Sequence, residues 1–336
     1  MKSVVAENLV RRYGSIEAVA DVSFEVEEGE IFAFLGPNGA GKTTTINILC
    51  TLLTPTAGRA SVVGHDVVTE RQEVRRSIGV VFQEPTLDEQ LTAEQNLRFH
   101  GYAYGVPRKI LEERMRDLLE MLELWERRGD RVKTYSGGMK RRLEIARGLL
   151  HRPRVLFLDE PTLGLDPQTR RRIWEYVVGL RDREGVTVFF TTHYMDEAEH
   201  SDRIAIIDHG RIVALDTPDR LKDRVGGDIV TLTTDDDDAA IRELREGWEL
   251  DPRRTDGAIS FPVSRGREWL PEFVKEFSQR IVSIGVHRPT LDDVFIEITG
   301  RAMREENEKP ADGGRRRGRP RGRRGGPRGR QKEPRR

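Results

Sequence analysis

The sequence has almost no cysteine: Cys50 is the one thiol among 336 residues. A single thiol excludes an intrachain disulfide and is typical of a protein from a reducing compartment. Cys50 falls on the apolar face that Ile46, Leu49 and Leu53 form at helical spacing. We therefore interpret it as a small buried side chain and not as a reactive thiol.

Long apolar runs are lacking as well. No stretch reaches the about 18 consecutive apolar residues that a membrane helix needs. The N-terminal stretch "MKSVVAENLVRRYG" has no apolar signal core and goes directly into a strand pattern. We expect a chain that is soluble by itself and that acts at a membrane only through a partner.

The formal net charge of zero conceals an asymmetry along the chain. Residues 301–336 contain 15 Lys and Arg against 5 Asp and Glu, whereas the first 300 residues contain 42 against 52. An acidic body therefore carries a basic tail. The tail consists largely of Arg, Gly and Pro without apolar periodicity, a composition that predicts disorder.

Strand and helix patterns alternate over roughly the first 220 residues, which predicts an α/β fold. Thr92 and Gln95 form the T-x-x-Q pattern of a helix capping box, and His209-Gly210 is the turn of a predicted hairpin. We divide the chain into a large α/β domain at residues 1–224, with a helical subdomain at about 88–152, a small α+β domain at 225–300, and the disordered tail at 301–336.

The stretch "GPNGAGKT", residues 36–43, fits the phosphate-binding pattern G-x-x-x-x-G-K-[ST]. It follows the apolar strand "EIFAFLG" and leads into a helix predicted at 41–53, the context that this pattern requires. Lys42 is expected to reach the β- and γ-phosphates of ATP, and the Thr43 hydroxyl to bind Mg²⁺. The predicted ATP-binding residues of this loop are Gly36, Pro37, Asn38, Gly39, Ala40, Gly41, Lys42, Thr43 and Thr44.

Two acidic residues end another apolar strand, "VLFLDE". A carboxylate at this position beside a phosphate-binding loop is the usual second anchor for Mg²⁺, and we assign that role to Asp159. Glu160 alternates to another direction and is our candidate for the general base that activates the attacking water.

A second anion site is predicted in "TYSGGMKRRLEIARGLL", residues 134–150. Ser136, Gly137 and Gly138 stand at the start of an amphipathic helix, whose first backbone N–H groups are free to bind an anion. Two phosphate sites in a chain with one catalytic domain require an explanation.

The stretches "GPNGAGKTTT", "VVFQE", "YSGGM", "LFLDEPTLGLDP" and "TTHYMDEAE" together resemble the ABC ATPase family in order and spacing over roughly residues 4–220. The resemblance implies a P-loop NTPase of ABC type, with a RecA-like core, an antiparallel β subdomain and a helical subdomain. It also explains the second phosphate site. In this family two ATPase domains stack head to tail, so that Ser136, Gly137 and Gly138 of one chain would contact the γ-phosphate bound by the other.

The same resemblance assigns four further residues. Gln83 resembles the glutamine that senses Mg²⁺ and the attacking water, and His193 the switch histidine that reaches the γ-phosphate. Asp166 resembles the residue that couples the two sites, although Asp166-Pro167 is also a helix N-cap pattern. Tyr13 resembles the aromatic that stacks on adenine, with a strand aromatic packed in the core as the alternative.

The signature departs from the commoner Leu-Ser-Gly-Gly-Gln, because Tyr135 replaces leucine and Met139 replaces glutamine. Both this stretch and "RPTLDDVFIEITG" resemble the daunorubicin-resistance-type branch. That branch implies an ATPase that pairs with a separate ABC-2-type permease at the cytoplasmic side of the cell membrane. The export substrate would be drug-like, a lipid or a glycan.

The alternative function is a soluble ABC ATPase that acts on ribosomes or nucleic acid, and only the basic tail favours it. The tail could bind anionic lipid or RNA. It could equally be a solvated segment with nonspecific affinity for polyanions, which is the interpretation that we favour.

Overall fold

The structure, a computed structural model, describes residues 1–255 and 257–300 of the chain. The basic tail predicted at 301–336 lies outside the described residues. The strands are β1 (Lys2–Tyr13), β2 (Ile16–Glu27), β3 (Ile31–Leu35), β4 (Ala57–Val62), β5 (His65–Asp66), β6 (Ile78–Val81), β7 (Val155–Asp159), β8 (Thr187–Thr192), β9 (Arg203–Asp208), β10 (Arg211–Asp216), β11 (Asp228–Thr234), β12 (Arg253–Thr255), β13 (Ala258–Val263) and β14 (Ile281–His287). The α-helices are α1 (Lys42–Leu49), α2 (Arg71–Ser77), α3 (Ala93–Ala103), α4 (Arg108–Met121), α5 (Gly137–Leu149), α6 (Pro167–Glu184), α7 (Met195–Ala198), α8 (Pro218–Asp223), α9 (Asp237–Gly247), α10 (Gly266–Glu276) and α11 (Leu291–Thr299).

A six-stranded sheet forms the centre of the molecule, with the strand order β10-β9-β3-β8-β7-β6. All neighbours are parallel except β10, which pairs antiparallel with β9 at one edge. Both faces are covered: Ile31 and Leu35 of β3 enter one hydrophobic cluster, and Phe32 and Phe34 enter another. The apolar composition of these strands follows from burial on both faces. Their carboxyl ends meet at one edge, where ligands of such sheets bind.

An antiparallel sheet with the order β2-β1-β4-β5 packs against this core. Phe24 of β2 joins the two layers, because its ring lies 5.5 Å from that of Phe32 and 5.7 Å from that of Phe189. The hairpin between β9 and β10 turns at His209 and Gly210, as predicted. Both residues have positive φ, 46° and 76°, which matches the twist of a two-residue hairpin turn.

Helices α3, α4 and α5 form a helical layer beside the central sheet. The predicted capping box begins α3: Thr92 accepts the N–H of Gln95, and the Gln95 side chain accepts the N–H of Thr92. Helix α1 is shorter than the predicted 41–53. It ends at Leu49 because Thr51 adopts a left-handed φ of 65°, and the next N–H groups turn back to the carbonyl of Asn47.

The segment after α8 forms a third sheet, antiparallel and in the order β12-β13-β11-β14, which α9 and α10 cover with their own hydrophobic cluster. Helix α11 returns to the first part of the chain, because Leu291, Val294 and Phe295 join the same cluster as Leu221 of α8. Within the described parts of the chain, none of the helices combines the length and the apolar character required to span a bilayer.

Candidate nucleotide-binding site

The loop between β3 and α1 requires glycine at two positions because the backbone passes close to its neighbours. A Cβ atom on Gly36 would lie 2.3 Å from the carbonyl oxygen of Ile207, and one on Gly41 would lie 2.3 Å from that of Ala18. Gly41 also has a φ of 105°, which other residues rarely adopt. The loop can therefore wind tightly at the carboxyl edge of the sheet and present its N–H groups to an anion.

Lys42 is folded into this loop. Its ammonium nitrogen donates to the carbonyl oxygens of Gly36 at 2.8 Å and Pro37 at 3.0 Å, and it lies 3.2 Å from Glu160 Oε1. Burial lowers the pKa of Lys42, and the nearby Glu160 opposes this shift. The buried cation thus has a carboxylate partner that a bound phosphate would have to replace.

Asp159 lies at the end of β7 and accepts hydrogen bonds from two hydroxyl groups. Thr191 donates to its Oδ1 at 2.5 Å, and Thr43 donates to the same oxygen at 3.3 Å. Burial raises the pKa of Asp159, and these two hydrogen bonds oppose the shift. Hydroxyl and carboxylate oxygens side by side are the ligand type that Mg²⁺ prefers.

The surroundings of Asp159 and Thr43 fit a magnesium ion that takes only some of its ligands from the protein. Among the residues that the structure describes, no group of three or more His, Cys, Asp and Glu side chains could enclose a metal. A magnesium ion usually takes one or two protein ligands and completes its shell with water and substrate phosphates. Thr43 and Asp159 provide such a partial set beside the phosphate-binding loop.

Glu160 is held in an unusual backbone conformation, with φ of 44°. Its N–H donates to the Thr191 hydroxyl at 3.0 Å, which fixes the residue against β8. Its Oε1 lies 3.3 Å from His193 Nδ1, a close approach without the alignment of a hydrogen bond. Burial raises the pKa of Glu160, but His193 and Lys42 outweigh it, so the pKa lies below its ordinary value. The carboxylate is therefore ionised at neutral pH and able to accept a proton.

Lys42, Glu160 and His193 open into one cavity of about 700 Å³ at the carboxyl edge of the central sheet, and Asp159 lies outside its lining. Of the predicted residues, those that line it are Asn38, Gly39, Gly41, Lys42, Thr43, Thr44, Gln83, Glu160 and His193. Ala18 and Leu163 complete the lining. The lining residues follow the carboxyl ends of four strands, β3, β6, β7 and β8, and Gln83 is the one that follows β6. Parallel strands bring their carboxyl ends to one edge, which is why these residues meet there.

The signature residues lie outside this lining. Ser136 caps α5, and its hydroxyl accepts the N–H of Met139 at 3.3 Å. A Cβ atom on Gly138 would come within 2.6 Å of Thr169 Cγ2, so α5 can approach the start of α6 only with glycine here. Thr169 in turn donates to Asp166, which caps α6 as its sequence pattern predicts.

Tyr13 also lies outside the lining of the cavity, at the end of β1. Its side chain is 44% exposed, and the Arg11 guanidinium lies 4.8 Å from the ring centre. The alternative of a tyrosine packed in the core is therefore wrong. An exposed ring remains able to stack on a base.

Sequence reasoning missed Arg141, Thr191 and Glu197, all buried polar residues beside the site. Glu197 accepts hydrogen bonds from Thr192, at 2.7 Å, and from Thr162. Burial raises the pKa of Glu197 to about 7. A local signal existed for Thr191, which precedes His193 by two residues in "TTH". The other two lie within helices, where apolar periodicity does not single out a buried charge.

The chain is similar over most of its length to known proteins. The family described as ABC transporter matches residues 19–163. The doxorubicin resistance ATP-binding protein DrrA of Mycobacterium tuberculosis is 41% identical over 88% of this chain and 93% of its own length. The linearmycin resistance ATP-binding protein LnrL of Bacillus subtilis is 38% identical over 89% and 99%.

Among solved structures, a dimeric ATP-binding cassette in a post-hydrolysis state with ADP and Pi superposes with a TM-score of 0.57 at 29% identity. The match covers 64% of this chain and 98% of that one. The resemblance and the fold class predicted from the sequence are both confirmed.

Proposed function

This chain belongs to the ABC transporter family as an ATP-binding subunit, and on that premise we propose that it powers export of a drug-like compound through a separate ABC-2-type permease. The chain binds ATP and is an ATPase that hydrolyses it for transport. Relatives named for resistance to doxorubicin and to linearmycin support a drug-like cargo. They support the exporter over the alternative ATPase that acts on ribosomes or nucleic acid.

The observation that carries the proposal is the contact of Glu160 with both Lys42 and His193 at the phosphate-binding loop. Lys42 would bind the β- and γ-phosphates through its ammonium, together with the N–H groups of the loop. Thr43, Asp159 and Gln83 would hold Mg²⁺, which neutralises phosphate charge when bound. Glu160, ionised and released from Lys42, would take the proton of the attacking water. His193 would hold the γ-phosphate in place.

We propose that ATP binds between two copies of the chain. ABC ATPase subunits dimerise and work with a membrane permease. In our proposal Ser136, Gly137 and Gly138 of one copy bind the γ-phosphate held by the other, and Asp166 couples the two sites. Loss of the γ-phosphate removes charge-assisted contacts from the interface, so hydrolysis would reopen it. The permease would convert this closing and opening into transport.

The proposed location is the cytoplasmic side of the cell membrane, with attachment through the permease. We propose the division into residues 1–224, 225–300 and 301–336 as the working units of the chain. For the last of these, the basic tail, we propose only nonspecific attraction to anionic lipid or RNA.

The proposal is tested by purifying the full-length Glu160→Gln variant, with ATP, from detergent-solubilised membranes of its native host. We expect a multi-spanning membrane protein at equal stoichiometry, identified by mass spectrometry, with two copies of each subunit. A preparation without ATP serves as the control. Ribosomal proteins or RNA in place of a membrane protein would contradict the exporter and support the alternative.

A further inference from the structure

Arg141 is a buried cation on the signature helix α5. It lies five residues after Ser136, and the residue is 7% exposed. Because α5 rises about 1.5 Å per residue, Arg141 is roughly 7.5 Å along the helix from its proposed contact with the partner's ATP. A guanidinium this deep in the protein needs partners for all of its donors.

Those partners are the backbone carbonyls of the chain's own nucleotide site. Nη2 donates to the carbonyl oxygens of Asp159 at 3.1 Å and Glu160 at 3.2 Å, and Nε donates to that of Pro161. Nη1 donates to the carbonyl of Phe82, the residue before Gln83. One side chain thus binds the segment that carries both acidic site residues and the segment that carries the glutamine.

Glu144 neutralises this cation from one helical turn further along. Its Oε2 lies 3.1 Å from Arg141 Nη1, and its Oε1 accepts the backbone N–H of Thr86 at 2.8 Å. The pair therefore holds the chain on both sides of Gln83, at Phe82 and at Thr86. Both side chains are buried, so this link is little screened by solvent.

We propose that Arg141 is a positioning residue that couples the two nucleotide sites of the dimer, an inference that rests on the head-to-tail pairing proposed above. Helix α5 has its N-terminus at the partner's γ-phosphate and its buried face on the Asp159–Glu160 backbone. A shift of α5 when the partner's ATP binds is therefore transmitted to Glu160 and Gln83. Coupling of this kind requires a physical link whose arrangement both sites bias, and the Arg141 contacts are such a link.

The neighbouring Arg142 offers a matched control on the same helix. Its Nη1 donates to the Leu122 carbonyl at 2.9 Å and to Glu123 at 3.2 Å. A lysine ammonium is a point donor and can reproduce contacts made by one nitrogen, but it cannot reproduce the planar fork that Arg141 uses at Nε, Nη1 and Nη2 together. Lysine should therefore be tolerated at position 142 and not at 141.

The test compares full-length wild type, Arg141→Lys and Arg142→Lys in ATP hydrolysis as a function of ATP concentration. We expect a Hill coefficient above 1 for wild type and Arg142→Lys, because the two sites are coupled. For Arg141→Lys we expect a Hill coefficient near 1 and a kcat lower by about tenfold, with the ATP affinity of the isolated chain unchanged. The thermal midpoint should also fall, because buried carbonyls lose their donors, so the Hill coefficient is the readout that decides. A purely structural role would lower the midpoint without changing the Hill coefficient.

An unchanged Hill coefficient in Arg141→Lys, with cooperative wild type, would overturn the inference alone. A wild-type chain without cooperativity and without ATP-dependent dimers would overturn the head-to-tail pairing and the inference with it. If Arg141→Lys does not fold, Glu144→Gln replaces it, because it keeps the carbonyl contacts and removes the charge partner. A lowered Hill coefficient in Glu144→Gln supports the inference, and an unchanged one contradicts it.

Discussion

Replacing Glu160 by glutamine should separate ATP binding from ATP hydrolysis. The substitution keeps the size of the side chain and removes its charge, so the proton of the attacking water loses its acceptor. A positioned general base contributes about 10²- to 10⁴-fold to a rate. We therefore expect phosphate release to fall at least about 100-fold.

Although the substitution slows hydrolysis, it should increase the affinity for ATP. Glu160 Oε1 lies 3.2 Å from Lys42 Nζ in a buried pair, and ATP must break this pair to bind Lys42. A hydrogen bond between charged groups contributes about 1.5–3 kcal/mol. Glutamine can still accept from Lys42, so we use the lower end of this range. Since about 1.4 kcal/mol corresponds to tenfold in Kd, ATP should bind roughly ten times more tightly to Glu160→Gln.

The assay measures phosphate release and equilibrium ATP binding on the same preparations of wild type and variant. Glu199→Gln is the matched control, because Glu199 pairs with Lys222 on the surface at 2.9 Å and should change neither quantity. Hydrolysis within tenfold of wild type would refute the base assignment. Weaker ATP binding in Glu160→Gln would refute the competition between Glu160 and phosphate for Lys42.

Substitutions at three further positions test separate parts of the site. Gly36→Ala should abolish ATP binding, since its Cβ would lie 2.3 Å from the Ile207 carbonyl, and unchanged binding in a nucleotide titration would contradict the loop geometry. Tyr13→Ala should weaken ATP binding about tenfold and leave inorganic triphosphate binding unchanged, whereas Tyr13→Phe should keep both, because base stacking contributes about 1–3 kcal/mol. Burial raises the pKa of Glu197 from 4.5 to about 7, so the protonated acid stabilises the folded chain. At ~1.4 kcal/mol per pKa unit, this contribution to the free energy of unfolding should fall by about 3 kcal/mol as pH rises from about 4.5 to 7. The thermal midpoint of wild type relative to Glu197→Gln should therefore drop between pH 5 and pH 8, and a constant gap would contradict the buried acid.

The features predicted from sequence are those whose causes are local. The phosphate-binding loop, the capping box at Thr92 and the turn at His209 each depend on a few neighbouring residues, and the structure has all three. Helix α1 was predicted one turn too long because apolar spacing continues to Leu53, whereas the left-handed conformation of Thr51 ends the helix. Apolar spacing does not reveal such a backbone reversal.

The contacts between side chains inside the site could not be predicted from neighbouring residues in the sequence. Lys42 and Glu160 are 118 residues apart, and only the order of the sheet, with β8 between β3 and β7, brings their loops together. Arg141 and Glu197 stand in segments that pattern reasoning assigns to solvated helix faces, because charged residues are rarely buried unless they are paired. Their acceptors and donors come from distant strand ends and loops, which a single sequence does not order in space.

The claim that two chains share each ATP is tested most directly by sedimentation velocity of Glu160→Gln with and without MgATP. Ser136→Asp in the same background is the decisive comparison, because aspartate still caps α5 but opposes the γ-phosphate with a negative charge. Ser136→Thr keeps both the cap and the hydroxyl and is the control. We predict an ATP-dependent dimer for Glu160→Gln and for its Ser136→Thr form, and a monomer for its Ser136→Asp form. A dimer that persists with Ser136→Asp, or no dimer at all with ATP, would contradict the account.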